Sequence, residues 1–184
     1  MNIWCSSTLG KFLTMNLRYF PLISQRILLV ATLAFGLLFP CSSQALSVHD
    51  SFPDLSAFSL EGTLPDTKGK VVLVDFFASW CGPCKASFPV MQELHKEFGP
   101  KGLIIIAINL DDKKEEMQEF LKKHPSDFVI VRDATKKLVS TVKIATMPSS
   151  FLLDRQGRIQ SIHKGFKGAE TKRKYIEEIT PLLK

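Results

Sequence analysis

Val71-Val72-Leu73-Val74-Asp75-Phe76-Phe77 leads through Ala78-Ser79-Trp80 into Cys81-Gly82-Pro83-Cys84. The first seven residues are apolar apart from Asp75, the composition of a central strand covered on both faces. Beyond the cysteines, Cys84, Phe88, Met91, Leu94 and Phe98 recur at three- and four-residue steps, which predicts a helix over 83–98 with one buried stripe. Two cysteines separated by two residues therefore stand at a strand–helix join. There the first sulfur meets unpaired backbone N–H groups and the positive end of the helix dipole. Both favour thiolate, the form that attacks disulfides. The arrangement suits reversible dithiol–disulfide chemistry. A structural disulfide, half of a zinc site and coincidence are the plainer readings of the same spacing.

Elements on either side extend the pattern. Pro89 lies within the helix and should kink it, and Gly99-Pro100 should end it. Leu103 to Leu110 reads as a second buried strand, which makes a right-handed βαβ unit with the first. A charged helix is expected over 115–124 with Met117, Phe120 and Leu121 inward, then a short strand over 128–131 and a helix over 134–142. Ser149 to Leu153, a turn at Arg155-Gln156-Gly157, and Arg158 to His163 form a hairpin. A closing helix over 169–183 buries Tyr175, Ile176, Ile179 and Leu183 and frays near Pro181. Before the first strand, Leu55 to Leu60 alternates loosely, as an edge strand or hairpin would. These elements specify an α/β fold with a mixed central sheet and helices on both faces.

The N-terminus stands apart from this fold. Arg18 and Arg26 precede the apolar run Ile27–Phe39, and Ser43-Gln44-Ala45 offers small residues at −3 and −1. Residues 1–45 are therefore expected to be a secretory signal, with Met15 as an alternative start, leaving 46–184 as one domain. An uncleaved membrane anchor is the other reading, although the 13-residue run is short of the roughly 20 that a spanning helix needs. A lipoprotein anchor at Cys41 would have Pro40 where a small residue is expected. Cleavage removes Cys5 and Cys41, so only Cys81 and Cys84 remain. It also removes three basic residues and no acidic one, taking net charge from +6 to +3. Lys172-Arg173-Lys174 is too short a basic run to imply nucleic acid. His49, His95, His124 and His163 have no ligand spacing to one another, and no GxGxxG or P-loop occurs. No metal and no nucleotide cofactor is expected.

Two segments resemble the thioredoxin superfamily. Val74 to Lys85 is similar to its active-site segment almost residue for residue, and Thr146-Met147-Pro148-Ser149-Ser150-Phe151-Leu152-Leu153-Asp154-Arg155-Gln156-Gly157 is similar to its second signature. The export signal, the lead-in before the first strand and the helix–strand insert between Leu110 and Ala134 resemble the exported TlpA/ResA-like branch. The likeness covers about residues 50–184. It implies that Cys81 is the attacking thiolate, Cys84 the buried resolving thiol, and that the two form a redox-active disulfide. It also implies that Pro148 is cis beside that disulfide and that Met147 offers backbone to an incoming chain. An ordinary loop proline is the plainer reading of Pro148.

The resemblance gives Asp75 the task of moving the Cys84 proton; a carboxylate that simply finds water is the alternative. Thioredoxin pairs this aspartate with a lysine on the next strand, and Ala107 matches that position. Some ResA-like members carry a glutamate three residues after the second cysteine, and Ser87 stands there. Trp80, Gly82 and Pro83 are expected to form a docking surface around the disulfide, with a core aromatic as the other reading of Trp80. Gly165 is either a turn glycine or one brought close to the site.

The implied activity is exported thiol–disulfide exchange, most simply disulfide reduction of periplasmic proteins, possible clients including apocytochromes c. A DsbD-like membrane thiol relay would supply electrons. An oxidase or isomerase, a peroxiredoxin-like peroxidase and a non-enzymatic binding domain are the alternatives. Peroxiredoxins hold their cysteine with a threonine and an arginine, and Ala78-Ser79-Trp80 lacks that threonine.

Overall fold

Strand β1 (Val71–Phe77) is buried along its whole length and occupies the middle of a five-stranded sheet. The computed structural model describes residues 45–184; the expected export segment, with Cys5, Cys41 and the alternative start at Met15, lies outside them but for Ala45. Helix α1 (Gly82–Phe98) follows β1 and runs unbroken through Pro89. Strand β2 (Leu103–Asn109) returns parallel to β1, with Asp75 opposite Ala107. Helix α2 (Lys114–Lys123) and strand β3 (Val129–Arg132) form the expected insert, and β3 extends the sheet parallel to β2. After the short helix α3 (Lys137–Val142), β4 (Ser149–Leu153) lies antiparallel to β1 and β5 (Ile159–Lys164) antiparallel to β4. Helix α4 (Ala169–Leu182) closes the chain and continues past Pro181. The sheet order is β3-β2-β1-β4-β5. This is the thioredoxin-like arrangement that the resemblance implied.

The period-two alternation of β1 divides the core. Val71, Leu73 and Phe77 join Cys81, Cys84 and Phe88 of the α1 side, Phe120 of α2, and Tyr175 and Ile179 of α4. Val72, Val74 and Phe76 point the other way, toward Phe52, Leu138 and Val142. Asp75 falls on the first face by parity. Phe88 anchors α1 there: its ring lies 4.8 Å from Phe77, 4.8 Å from Phe120 and 5.4 Å from Phe128. Such tilted and edge-on pairs add to simple burial. They clamp the active-site helix one turn beyond Cys84.

Two expectations need correction. The lead-in does not form a strand. Leu55–Ala57 is a 3-10 turn, because the Asp54 carboxylate accepts the Ser56 N–H at 2.9 Å and draws the chain into a tight local loop. Isolated bridges at Ser51–Arg158 and Glu61–Arg132 pair it with the sheet, and Phe52, Leu55, Phe58 and Leu60 pack on the sheet's second face. Helix α3 also starts at Lys137 and not at Ala134. Lys136 has left-handed backbone, and the Asp133 carboxylate reaches the Val139 N–H at 2.9 Å. The short polar side chain competes with the backbone for the first turn.

Candidate active site

Cys81 is the N-cap of α1, and its Sγ accepts the Cys84 N–H at 3.2 Å. A capping atom here satisfies one of the helix's orphan donors. In the reduced protein the same donor would favour a charged sulfur, because hydrogen bonds to ions are the stronger ones. The Cys81–Cys84 disulfide is closed, with Cα atoms 5.3 Å apart. Cys84 is fully buried, whereas Cys81 keeps 6% of its surface. The sulfur that an outside disulfide can reach is therefore that of Cys81. Gly82 and Pro83 are exposed beside it, and Pro83 stands where a helix lacks an N–H partner in any case. Trp80 is 67% exposed, so the core-aromatic reading fails.

The Met147–Pro148 peptide bond is cis. Met147 packs against the cluster that holds Cys81 and Cys84, and Pro148 is buried at the start of β4. The Pro148 carbonyl accepts the Gly165 N–H at 2.7 Å, which joins Gly165 to the same corner. Gly165 has φ +81°, a conformation that side chains disfavour. The hairpin thus folds Gly165 back onto the signature that precedes it.

Asp75 keeps 1% of its surface, and neither carboxylate oxygen has a hydrogen-bond partner. Burial pushes its carboxyl up to about 7, against the opposing pull of the Ser150 hydroxyl. Ala107 stands opposite on β2, so no lysine offsets the burial from that side. Ser87, where the other branch carries its acid, is buried and donates its hydroxyl to the Cys84 carbonyl at 2.9 Å. Asp75 is a buried carboxyl on the sheet face that carries Cys84.

The sequence profile of the Redoxin family matches residues 47–179. The chain belongs to the Redoxin family. This redoxin is 30% identical over 146 residues to the thiol-disulfide oxidoreductase ResA of Bacillus cereus, covering 78% of this chain and 84% of that one. It is 29% identical over 160 residues to the ResA of Geobacillus thermodenitrificans, covering 84% and 92%. A crystal structure from Chlorobium tepidum, described as a thiol:disulfide interchange protein DsbE, is 35% identical with a TM-score of 0.70, covering 76% of this chain and all of that one. With its cysteine pair in place, the redoxin is a thiol–disulfide oxidoreductase of the ResA and DsbE type.

Sequence reasoning missed several residues of this redoxin's site. Asp111, fully buried at the end of β2, accepts the Ser79 N–H at 2.9 Å and the Ser79 hydroxyl at 3.1 Å. Asn109 donates to its other oxygen at 2.8 Å. Two polar residues closing a buried parallel strand were the available signal, since strand C-termini are where such sheets build sites. Ser150 belongs to the second signature and Tyr175 to a helix stripe, yet their hydroxyls meet at 2.5 Å, and Ser150 pairs with Asp75 across β1 and β4. Among the described residues no group of three His, Cys, Asp or Glu could hold a metal, and no helix is long and apolar enough to cross a membrane.

Proposed function

We propose that this redoxin is an exported disulfide reductase acting on periplasmic proteins. The observation that carries the reading is the Cys81 sulfur at the α1 N-terminus, receiving the Cys84 N–H and alone exposed to a partner. The Cys81 thiolate attacks a substrate disulfide. A Cys81–substrate bond forms, the substrate disulfide breaks, and one substrate sulfur leaves as thiolate. Asp75 then takes the Cys84 proton, and the Cys84 thiolate attacks the Cys81 sulfur. The second substrate sulfur leaves, the substrate has gained two electrons, and the Cys81–Cys84 disulfide closes. Met147 and Pro148 present backbone to the extended substrate, with Gly165, Trp80, Gly82 and Pro83 as its surroundings.

The Gly82-Pro83 dipeptide matches thioredoxin and supports the reducing direction. A periplasm kept oxidising requires a source of electrons, which a membrane-embedded thiol relay of the DsbD type would supply. Apocytochromes c awaiting haem are clients of suitable chemistry. Residues 1–45 support export, with anchoring in the membrane if the segment is not cleaved.

Equilibration in thiol–disulfide buffers, with alkylation of Cys81 as readout, tests the reading. A potential near thioredoxin's, about −270 mV, is expected. A value near the roughly −120 mV of strong oxidants would make the protein a disulfide donor. No reversible couple at all would remove the redox function.

A further inference from the structure

Asp75, Ser150 and His163 occupy one row across the sheet: Asp75 pairs with Ser150 between β1 and β4, and Ser150 pairs with His163 between β4 and β5. Tyr175 of α4 covers this row. Its hydroxyl meets the Ser150 hydroxyl at 2.5 Å, and its ring lies 4.5 Å from the His163 ring. His163 Nε2 in turn meets Glu178 of α4 at 2.6 Å, and Glu178 also accepts the Ser161 hydroxyl at 2.6 Å. Hydrogen bonds join Ser150 to Tyr175 and His163 to Glu178, the Tyr175 and His163 rings pack between the two pairs, and Asp75 stands opposite Ser150 without a hydrogen bond to it. Such a row is costly to bury unless its members satisfy one another.

We propose that Ser150 and Tyr175 are positioning residues that set the protonation of Asp75, and through it the resolving step at Cys84. The inference rests on the reading of Asp75 as the Cys84 base. Two hydroxyls have two hydrogens, and their mutual bond uses one. When Tyr175 donates to Ser150, the Ser150 hydrogen is free for an ionised Asp75. When Ser150 donates to Tyr175, the Ser150 oxygen can accept from a protonated Asp75. The pair can thus match either state of the carboxyl by reversing one bond and turning the Ser150 hydroxyl toward Asp75, its neighbour across the strand pair. On the β2 side stands Ala107, on the α1 side Cys84, and from α4 and β5 come Tyr175, Glu178 and His163. No cation faces Asp75 in the lysine's place. Asp75 acts back on Tyr175, whose phenol is held above its ordinary range by burial and by the nearby carboxylate.

The test is the pH profile of the second thiolate released when the reduced protein meets dithionitrobenzoate, since that release is the attack of Cys84 on Cys81. The wild-type rate should rise with pH as Asp75 ionises. Ser150→Ala should move the midpoint upward by about one pH unit, because it removes a donor to the ionised form. Tyr175→Phe should move it in the same direction and less far. Ser150→Thr, which keeps the hydroxyl, should restore the wild-type midpoint. In the oxidised protein the Asp75 carboxyl carbon should titrate with the same displacements, a readout independent of turnover. Superposed midpoints for wild type and Ser150→Ala in both measurements would overturn the proposal. A rising limb that survives Asp75→Asn would overturn the reading of Asp75 beneath it. Absence of a second release from the wild type would instead overturn the dithiol function.

Discussion

One oxygen of the buried Asp111 carboxylate accepts both the backbone N–H and the hydroxyl of Ser79, at 2.9 and 3.1 Å. Ser79 lies two residues before Cys81, so the end of β2 holds the segment that delivers the reactive sulfur. The remaining oxygen is held by the Asn109 amide at 2.8 Å. The carboxylate is therefore fixed on both sides, and the approach of β1 to α1 has a rigid anchor outside the helix itself.

Asp111→Ala should destabilise the oxidised protein by about 3 kcal/mol, because buried donors lose their acceptor at about 1–3 kcal/mol each. Urea unfolding of the oxidised forms measures this. Asp112→Ala, whose side chain is 90% exposed, should stay within about 0.5 kcal/mol of wild type. Equal effects of the two substitutions would remove the anchoring role.

Asp75 should make stability fall as pH rises. Its carboxyl is held up to about 7 in the folded protein against an ordinary value of 3.8. Between those values the folded state binds a proton that the unfolded state has released, so the slope of unfolding free energy with pH is negative. The loss is absent below about pH 4 and complete above about pH 7, on the order of 4 kcal/mol in all. Asp75→Asn has no such proton. Denaturant unfolding should show the variant gaining on the wild type from pH 4 to 7 and a constant gap above that. Parallel curves across the window would contradict the buried-acid assignment.

The two cysteines should fail differently. Cys81→Ser should abolish turnover of a protein disulfide. Cys84→Ser should retain the first attack and accumulate a mixed disulfide, visible by mass spectrometry as the substrate's added mass and released by dithiothreitol. Retained function after Cys81→Ser would favour a binding domain with a structural disulfide.

Trp80 is one of two large apolar side chains that stand exposed among the described residues, and it flanks the disulfide. Trp80→Ala should raise KM for a protein disulfide roughly 5- to 30-fold, the loss of about 1–2 kcal/mol of docking energy. The rate with a small aromatic disulfide should change little. An equal loss with both substrates would mean that Trp80 shapes the reactive sulfur and not the docking face.

The apolar run 71–77, the helical stripe from Cys84 to Phe98 and the hairpin turn at 155–157 determined the fold and the reactive pair without tertiary help. Their signals lie within a few residues of one another, where periodicity and capping act. Local competition misled the same reasoning. Asp54 closes a 3-10 turn in the expected lead-in strand, and Asp133 delays α3, since a short carboxylate can outbid a strand ladder or a helical turn for a backbone N–H. Only the tertiary structure decided the surroundings of Asp75. Ala107, Ser150 and Tyr175 lie 32, 75 and 100 positions away along the chain, and strand register together with the seating of α4 brings them to one place. Register follows from burying one face of each strand over its whole length. The identity of a buried carboxyl's neighbours is thus a property of the packed sheet, whereas the cysteines owe their chemistry to the helix that they begin.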